Sequence, residues 1–392
     1  MRIGCMPLTP YRTAACFISF VVLPTSLVCA QIAPTFADLT YATVGGTPLK
    51  LDLYLPATGA GQAPQPYPVV VWIHGGGWAG GDKFPANSAG LLMQHGFAVA
   101  SINYRLTSQA GQYGSEPVIF PAQINDVKGA IRWLRAPGNA SMYHLNIARF
   151  GAWGSSAGGH LAALAGTSGG VAALEGNVGG NLASSSVIQS VGDHFGPTDL
   201  LNMNLDVTNP PGSTLDHDAP GSPESHLIGF DLPGQGIGVL RANQNNPNPP
   251  YPALITLITQ ANPITWVDHN DPPFYIAHGT LDTTVPQMQS TKMANALAVA
   301  GVPHIYFPVV GGGHGTNFPP SVTFATVLHF MTTLRHAPGD ANGDGVVNIN
   351  DLLEVINHWG PCPPAPNFCS AELTGDPLVN IDDLLAVINH WG

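Results

Sequence analysis

Ser156 stands at the centre of Gly154-Ser155-Ser156-Ala157-Gly158, a G-x-S-x-G spacing within the stretch Phe150 to His160. A serine at the tip of a sharp strand-to-helix turn points its hydroxyl into open space. The same turn brings neighbouring backbone too close for a Cβ, so glycines two before and two after relieve the crowding. With 46 glycines in the chain, such a match also arises from composition, and the rest of the sequence has to support it. A serine hydroxyl is a poor nucleophile without a base and an orienting acid. Two later segments offer them: Ala277-His278-Gly279-Thr280-Leu281-Asp282, and Gly311-Gly312-Gly313-His314-Gly315. Asp282 and His314 follow Ser156 in the order serine, acid, histidine. Attack on a carbonyl carbon creates an oxyanion that needs preorganised N–H donors. Gly75-Gly76-Gly77, between His74 and Trp78, lets backbone amides approach a substrate, and the Ala157 amide directly after Ser156 is the other expected donor.

The elements that must position these groups alternate. Pro48 to Leu55 alternates as a strand. Val69 to His74 is a continuous apolar run, as in a strand buried on both faces of a parallel sheet, and runs into the three glycines. A helical segment near Ala86 to His95 leads to a second buried strand, Phe97 to Ile102. Ala122 to Arg135 has helical period, with Ile124, Val127, Ile131 and Leu134 on one face. A strand from Asn146 to Ala152, a helix starting over Gly159 to Ala165, and strands over Ser186 to Val191, Pro273 to Ala277 and His304 to Val310 follow, with helices over Met288 to Ala300 and Ser321 to Leu334. Buried strands alternating with helices imply an α/β fold, a mostly parallel sheet with helices on both faces. In such a sheet active groups sit at the carboxyl ends of the strands, where Asp282 and His314 fall. Asp268 and Asp271 precede their strand and belong at the other end. His74 and His278 are read as structural and His160 as packing or capping; nothing in position singles out His144 or His217. Asn202 to Pro252 breaks the rhythm with Asn, Pro, Gly and Asp, and is read as a long irregular lid or binding loop.

Net charge is −12, which argues against a nucleic-acid or anionic-membrane partner. From Ala337 to the end there are eight Asp or Glu and no Lys or Arg, marking off a separate module. The first residues read as a secretory signal: Arg2 and Arg12, an apolar core over Ala14 to Leu23, and a small-residue cleavage site at Val28-Cys29-Ala30. The expected divisions are therefore a signal peptide over 1–30, a catalytic domain over 31–336 and a small module over 338–392, in a secreted, extracellular protein that does not span a membrane. Cys362 and Cys369, a close pair in an exported chain, are expected to form a disulfide.

His74-Gly-Gly-Gly-Trp78, Asn103-Tyr-Arg-Leu106, Gly154 to His160, Phe195-Gly-Pro-Thr-Asp199, Pro272-Pro-Phe274, His278-Gly-Thr-Leu-Asp282-Thr-Thr-Val-Pro286 and Gly313-His-Gly315 resemble the α/β-hydrolase carboxylesterases, most of all the branch of bacterial feruloyl and acetyl-xylan esterases. The resemblance runs from about Phe36 to Leu334. It implies a serine carboxylic-ester hydrolase that works through an acyl-enzyme on acetyl or feruloyl esters of plant polysaccharide. Ser156 would be nucleophile, Asp282 acid, His314 base, and Gly76, Gly77 and Ala157 oxyanion donors, with no cofactor for catalysis. A peptidase of the same fold and a non-enzymatic binding protein on the same scaffold are the alternatives; a missing propeller-sized region argues against the first and a complete triad against the second.

In the module, Asp340, Asn342, Asp344, Asn348 and Asp351 fall at positions 1, 3, 5, 9 and 12 of a loop with Gly345 at position 6 and the Val346 carbonyl at position 7. That is calcium-loop spacing, with Asp351 in place of the usual glutamate, followed by a helix over Leu352 to Trp359. Val347 to Gly360 recurs as Val379 to Gly392, a period of 32 residues. The duplicated loop-helix resembles type I dockerin domains, a small all-α module with structural calcium, and implies a cohesin-like protein partner. The second loop departs from the pattern, with Glu372, Thr374 and Asp376 at positions 1, 3 and 5 and Pro377 in place of the turn glycine.

Overall fold

The computed structural model describes residues 32–392 apart from 58–65, 84–88, 115–116, 208–214, 335–338, 342–345, 364–368, 370 and 375. The expected signal segment lies outside the described residues. Eight strands form one sheet: β1 (Phe36–Val44), β2 (Thr47–Tyr54), β3 (Tyr67–Ile73), β4 (Ala98–Ile102), β5 (Leu145–Ser155), β6 (Ser190–His194), β7 (Phe274–Gly279) and β8 (His304–Val309). Their order is β1-β2-β4-β3-β5-β6-β7-β8. β2 runs antiparallel to both neighbours, and every pair from β4 to β8 is parallel. This is the mostly parallel α/β-hydrolase sheet that the sequence implies.

The helices in chain order are α1 (Ala89–Gln94), α2 (Ala122–Arg135), α3 (Pro137–Met142), α4 (Ala157–Thr167), α5 (Ala172–Glu175), α6 (Pro223–Ile228), α7 (Ile237–Ala242), α8 (Tyr251–Ala261), α9 (Met288–Ala300), α10 (Pro320–Leu334), α11 (Ile349–Asn357) and α12 (Ile381–Asn389). Successive strand residues point to opposite faces, and the core divides accordingly. Val69, Val71 and Ile73 pack with α2, α4 and α9, whereas Val70, Val99 and Trp153 pack with α1 and α10. The α2 face expected from period, Ile124, Val127, Ile131 and Leu134, is fully buried.

Two expectations need correction. Asn202 to Pro252 is not irregular: a 3-10 segment, α6, α7 and the start of α8 occupy it, and Leu227, Ile228, Ile237 and Leu240 are fully buried. Each short helix ends before a periodic pattern can build, so glycine, proline and asparagine dominate the composition. β6 begins at Ser190 rather than Ser186, because the carbonyls of Ser185 and Val187 accept from the Arg135 guanidinium instead of joining the ladder.

In the tail, α11 and α12 share one capping geometry. Asn348 and Asn380 accept from the second residue of their helices, while Asp351 and Asp383 accept back from the capping amides, at 2.8 Å each. β9 (Gly360–Pro361) pairs with β10 (Leu378–Val379), and Cys362 is bonded to Cys369 as expected. The tail has its own apolar core, including Val347, Val355, Val379 and Val387. It also touches the larger domain at the end of α1: Cys369 N donates to Gln94 O at 2.7 Å, and the buried His95 and Glu372 meet at 2.9 Å. Among the described residues no helix is long and apolar enough to cross a membrane.

Beneath the site lies a buried ion pair. Arg105 holds fully buried Asp126 through Nε and Nη2, at 2.8 to 3.1 Å, and donates its own backbone N–H to the same carboxylate. This fixes the turn that carries Tyr104, whose ring stacks on His74 and whose hydroxyl donates to the His74 carbonyl at 3.0 Å. Asp126→Ala leaves the largely buried Arg105 guanidinium without its carboxylate and with only the Ala122 carbonyl, so urea denaturation should show a loss of about 2–4 kcal/mol, toward the lower end of that for a buried pair; a loss below about 1 kcal/mol, the size of an exposed pair, would mean that the pair does not fix this turn.

Candidate active site

β5 ends at Ser155 and α4 begins at Ala157, leaving Ser156 alone in the turn at φ 56°, ψ −125°. A non-glycine residue there is strained by about 1–3 kcal/mol, which the surroundings must hold. Ser156 N donates to His194 O at 2.9 Å, and His160 N donates to Ser156 O at 3.0 Å. A Cβ on Gly154 would run into the Gly158 carbonyl, and one on Gly158 into the carbonyls of Ile73 and His74. The two glycines of the motif are thus the points where β3, β5 and α4 come closest.

The three side chains singled out by the sequence form one hydrogen-bonded chain. His314 Nε2 lies 3.0 Å from Ser156 Oγ, and His314 Nδ1 lies 2.8 Å from Asp282 Oδ2. The second oxygen of Asp282 accepts from the amides of Thr284 and Val285 at 2.8 and 2.9 Å. Burial alone would raise the Asp282 pKa, but hydrogen bonds and charge from His278 and His314 outweigh it and hold the carboxyl well below the usual range. Phe195 packs edge-on against the His314 ring with centroids 4.7 Å apart. Such a chain can take a proton from a serine hydroxyl and stabilise the imidazolium that results.

Gly76, Gly77 and Ala157 line the same cavity, of about 520 Å³, together with Gly75, Ser156 and His314. The glycine loop closes on itself, with the amides of Ala79 and Gly80 donating to Gly76 O. It is anchored by Trp78, buried against His160, whose Nδ1 accepts from the indole at 3.2 Å and whose Nε2 meets Ala261 O at 2.8 Å. Burial pushes His160 down to about 4 and His194 to about 3, so both are neutral props of the site. His160 is thus a packing residue, as expected from its position.

Two groups carry more than their spacing reveals. His278 does more than fill the core: its Nε2 lies 3.3 Å from Asp282 Oδ2, giving the acid a second contact. Its place four residues before Asp282, at the end of β7, is the available signal. His217, which position alone does not single out, lines the cavity beside Glu224. Asp268 and Asp271 sit in the turn before β7, away from the site. Of the proposed calcium ligands, Asp340, Val346, Asn348 and Asp351 are described, with Asp340 and Asp351 buried; Asn342 and Asp344 lie outside the described residues. Among the described residues no cluster of three His, Cys, Asp or Glu could hold a metal.

A family model named BD-FAE matches residues 51–297. The chain belongs to the BD-FAE family. A second model, the dockerin type I domain, matches residues 338–391. Among curated proteins, esterase LipQ of Mycobacterium tuberculosis is 28% identical over 295 residues, covering 72% of this chain and 58% of that protein. The chain thus spans little more than half the length of this relative. Among solved structures, a truncated carbohydrate esterase from gut microbiota is similar with a TM-score of 0.61 and 30% identity, over 76% of this chain and 95% of that one. A bifunctional GH43-CE protein of Bacteroides eggerthii matches with a TM-score of 0.59 and 34% identity, over 76% of this chain and 38% of that one.

The BD-FAE turn makes a sharp prediction. Gly158→Ala should lower kcat of any ester reaction by at least about tenfold, because the new methyl forces β3 and α4 apart and displaces Ser156. Unchanged kinetics in the folded variant would mean that the turn tolerates a Cβ and is not under the constraint described.

Proposed function

We propose that this protein is an exported serine carboxylic-ester hydrolase acting on acyl esters linked to carbohydrate. The observation that carries it is the unbroken Ser156–His314–Asp282 chain beside a glycine loop in an open cavity. In this reading His314 Nε2 takes the Ser156 proton as Oγ attacks the ester carbonyl. The amides of Gly76, Gly77 and Ala157 receive the oxyanion, and Asp282 stabilises the imidazolium through Nδ1–H. The imidazolium then protonates the departing alcohol, which leaves an acyl group on Ser156. Water, deprotonated by His314, releases the acid and restores the serine. The carbohydrate-esterase neighbours support a sugar-linked ester as substrate. The Cys362–Cys369 disulfide suits an oxidising compartment and agrees with a signal peptide over 1–30. The domain division at 31–336 and 338–392 is supported by the separate core of the tail.

Ser156→Ala should abolish hydrolysis of p-nitrophenyl acetate and of acetylated or feruloylated xylan, with an unchanged melting temperature. Asp282→Asn should lower kcat by about four orders of magnitude, because the imidazole is then held in the wrong tautomer. Near-normal rates in Ser156→Ala would remove Ser156 as nucleophile and turn attention to Ser155.

The tail, we infer, binds calcium in its first loop through Asp340, Asn342, Asp344, Val346, Asn348 and Asp351. The donor set fits: short carboxylates, amides and a backbone carbonyl are the hard oxygen ligands calcium takes, and Asp340 and Asp351 are buried. Bound calcium would order the loop and take no part in ester chemistry. In the second loop Glu372 is turned toward His95 and its Oε1 accepts from Thr374, which argues against an equal second site. A partner of the cohesin type suits the exposed faces of both helices, where Ile349, Leu353, Ile356 and Trp359 recur as Ile381, Leu385, Ile388 and Trp391. Calorimetry should find one tight calcium site per chain, lost in Asp340→Ala/Asp344→Ala, and chelator should leave the esterase rate unchanged. Two equally tight sites would overturn the reading of the second loop, and a rate that collapses with chelator would move calcium to the catalytic domain.

A further inference from the structure

The cavity beside Ser156 is mostly apolar away from the reacting groups, with Phe195, Pro197, Leu215, Pro223 and Val285 in its walls. Two ionisable side chains interrupt that surface. His217 Nδ1 and Glu224 Oε1 meet at 3.1 Å, with 1% and 3% of their side chains exposed. The other end of Glu224 is unsatisfied: its Oε2 is buried without a hydrogen-bond partner. A buried polar atom left unpaired is costly, and a carboxylate oxygen more so, so a site that keeps one needs a reason.

The pair is built in. Ser222 caps α6 and fixes Glu224 in its first turn. The His217 amide is held by Asn204 at 2.9 Å. Pro223, next to Glu224, lies against Gly77, about where a Cβ on that glycine would touch it, at 3.4 Å. The Glu224 segment therefore abuts the glycine loop proposed to receive the oxyanion. Neither group hydrogen-bonds directly to Ser156, His314 or Asp282, and an unpaired carboxylate oxygen has no role in an apolar acyl pocket.

We propose that Glu224, positioned by His217, forms a receptor for a free hydroxyl of the substrate's sugar, selecting partly acylated carbohydrate over esters of simple alcohols. The inference rests on the esterase reading. Glu224 Oε2 can only accept, so it takes the O–H of the sugar. His217 Nδ1 grips Glu224 Oε1 at 3.1 Å and the ring is also held by the Thr284 backbone, so the carboxylate keeps Oε2 in a fixed position. A site made to hydrogen-bond a hydroxyl rejects the analogue that lacks it, because its own polar groups are then left unpaired.

The test uses the full-length enzyme and two substrates, a mono-O-acetylated methyl xyloside and the same compound with its remaining hydroxyls methylated. Rates are normalised by active-site titration with a p-nitrophenyl phosphonate, so a partly unfolded variant is not misread. In the wild type, kcat/KM for the free-hydroxyl ester should exceed that for the methylated one by about ten- to a hundredfold. In Glu224→Leu that ratio should collapse to within about twofold of unity, and Glu224→Gln, which keeps an acceptor, should retain part of it. A ratio that survives in Glu224→Leu, or a wild type that hydrolyses both esters equally, would overturn the proposal while leaving the esterase reading intact. If the wild type hydrolyses neither of these esters nor p-nitrophenyl acetate nor feruloylated xylan, the esterase reading itself falls and takes this inference with it.

Discussion

The backbone of Ser156 is the constraint on which the rest depends. At φ 56° it holds a conformation that an L-residue adopts only when its neighbours insist. The neighbours are β3, β5, β6 and α4, which approach so closely that Gly154 and Gly158 have no room for a Cβ. Once the turn is fixed, the ends of adjacent strands fall around it. β3 delivers the glycine loop, β6 delivers Phe195, β7 delivers Asp282 and β8 delivers His314. The site is therefore a consequence of sheet order, with each group contributed by the first residues past a different strand.

Polar groups beneath the site are kept neutral or paired. His160 and His194 lose their charge to burial and serve as hydrogen-bonding props for Trp78 and for Thr326 on α10. Asp282 goes the other way: it stays ionised because two imidazoles and two backbone amides converge on it. That contrast separates the acid of the proposed triad from the histidines that only support the fold. Against it, the unsatisfied Oε2 of Glu224 stands out, since it belongs to a residue in the cavity wall.

Much of this is legible in the sequence because the groups lie at strand ends, where continuous apolar runs stop at glycine. The runs Val69 to Ile73 and Phe274 to Ala277 announce buried strands, and the residues just past each of them belong to the site. Periodicity alone bounds α2 and α9 correctly. It does not reveal β1, since the pairing of β1 with β2 slips twice and Asp38 takes a positive φ, which blurs the alternation. The region between Leu200 and Tyr251 looks irregular in sequence because α6 and α7 are only six residues long and their apolar residues never span two full turns. His217 and Glu224 share that fate: their meaning lies in a contact across seven residues of turn and helix start, which no spacing rule anticipates.

The central claim is that Ser156 carries the acyl group. Intact-mass analysis of the full chain after reaction with a p-nitrophenyl phosphonate tests it directly. One phosphonyl group should add per molecule, with loss of all esterase activity, and peptide mapping should place it on Ser156. A label on Ser155 or elsewhere, or full activity in the labelled enzyme, would contradict the account.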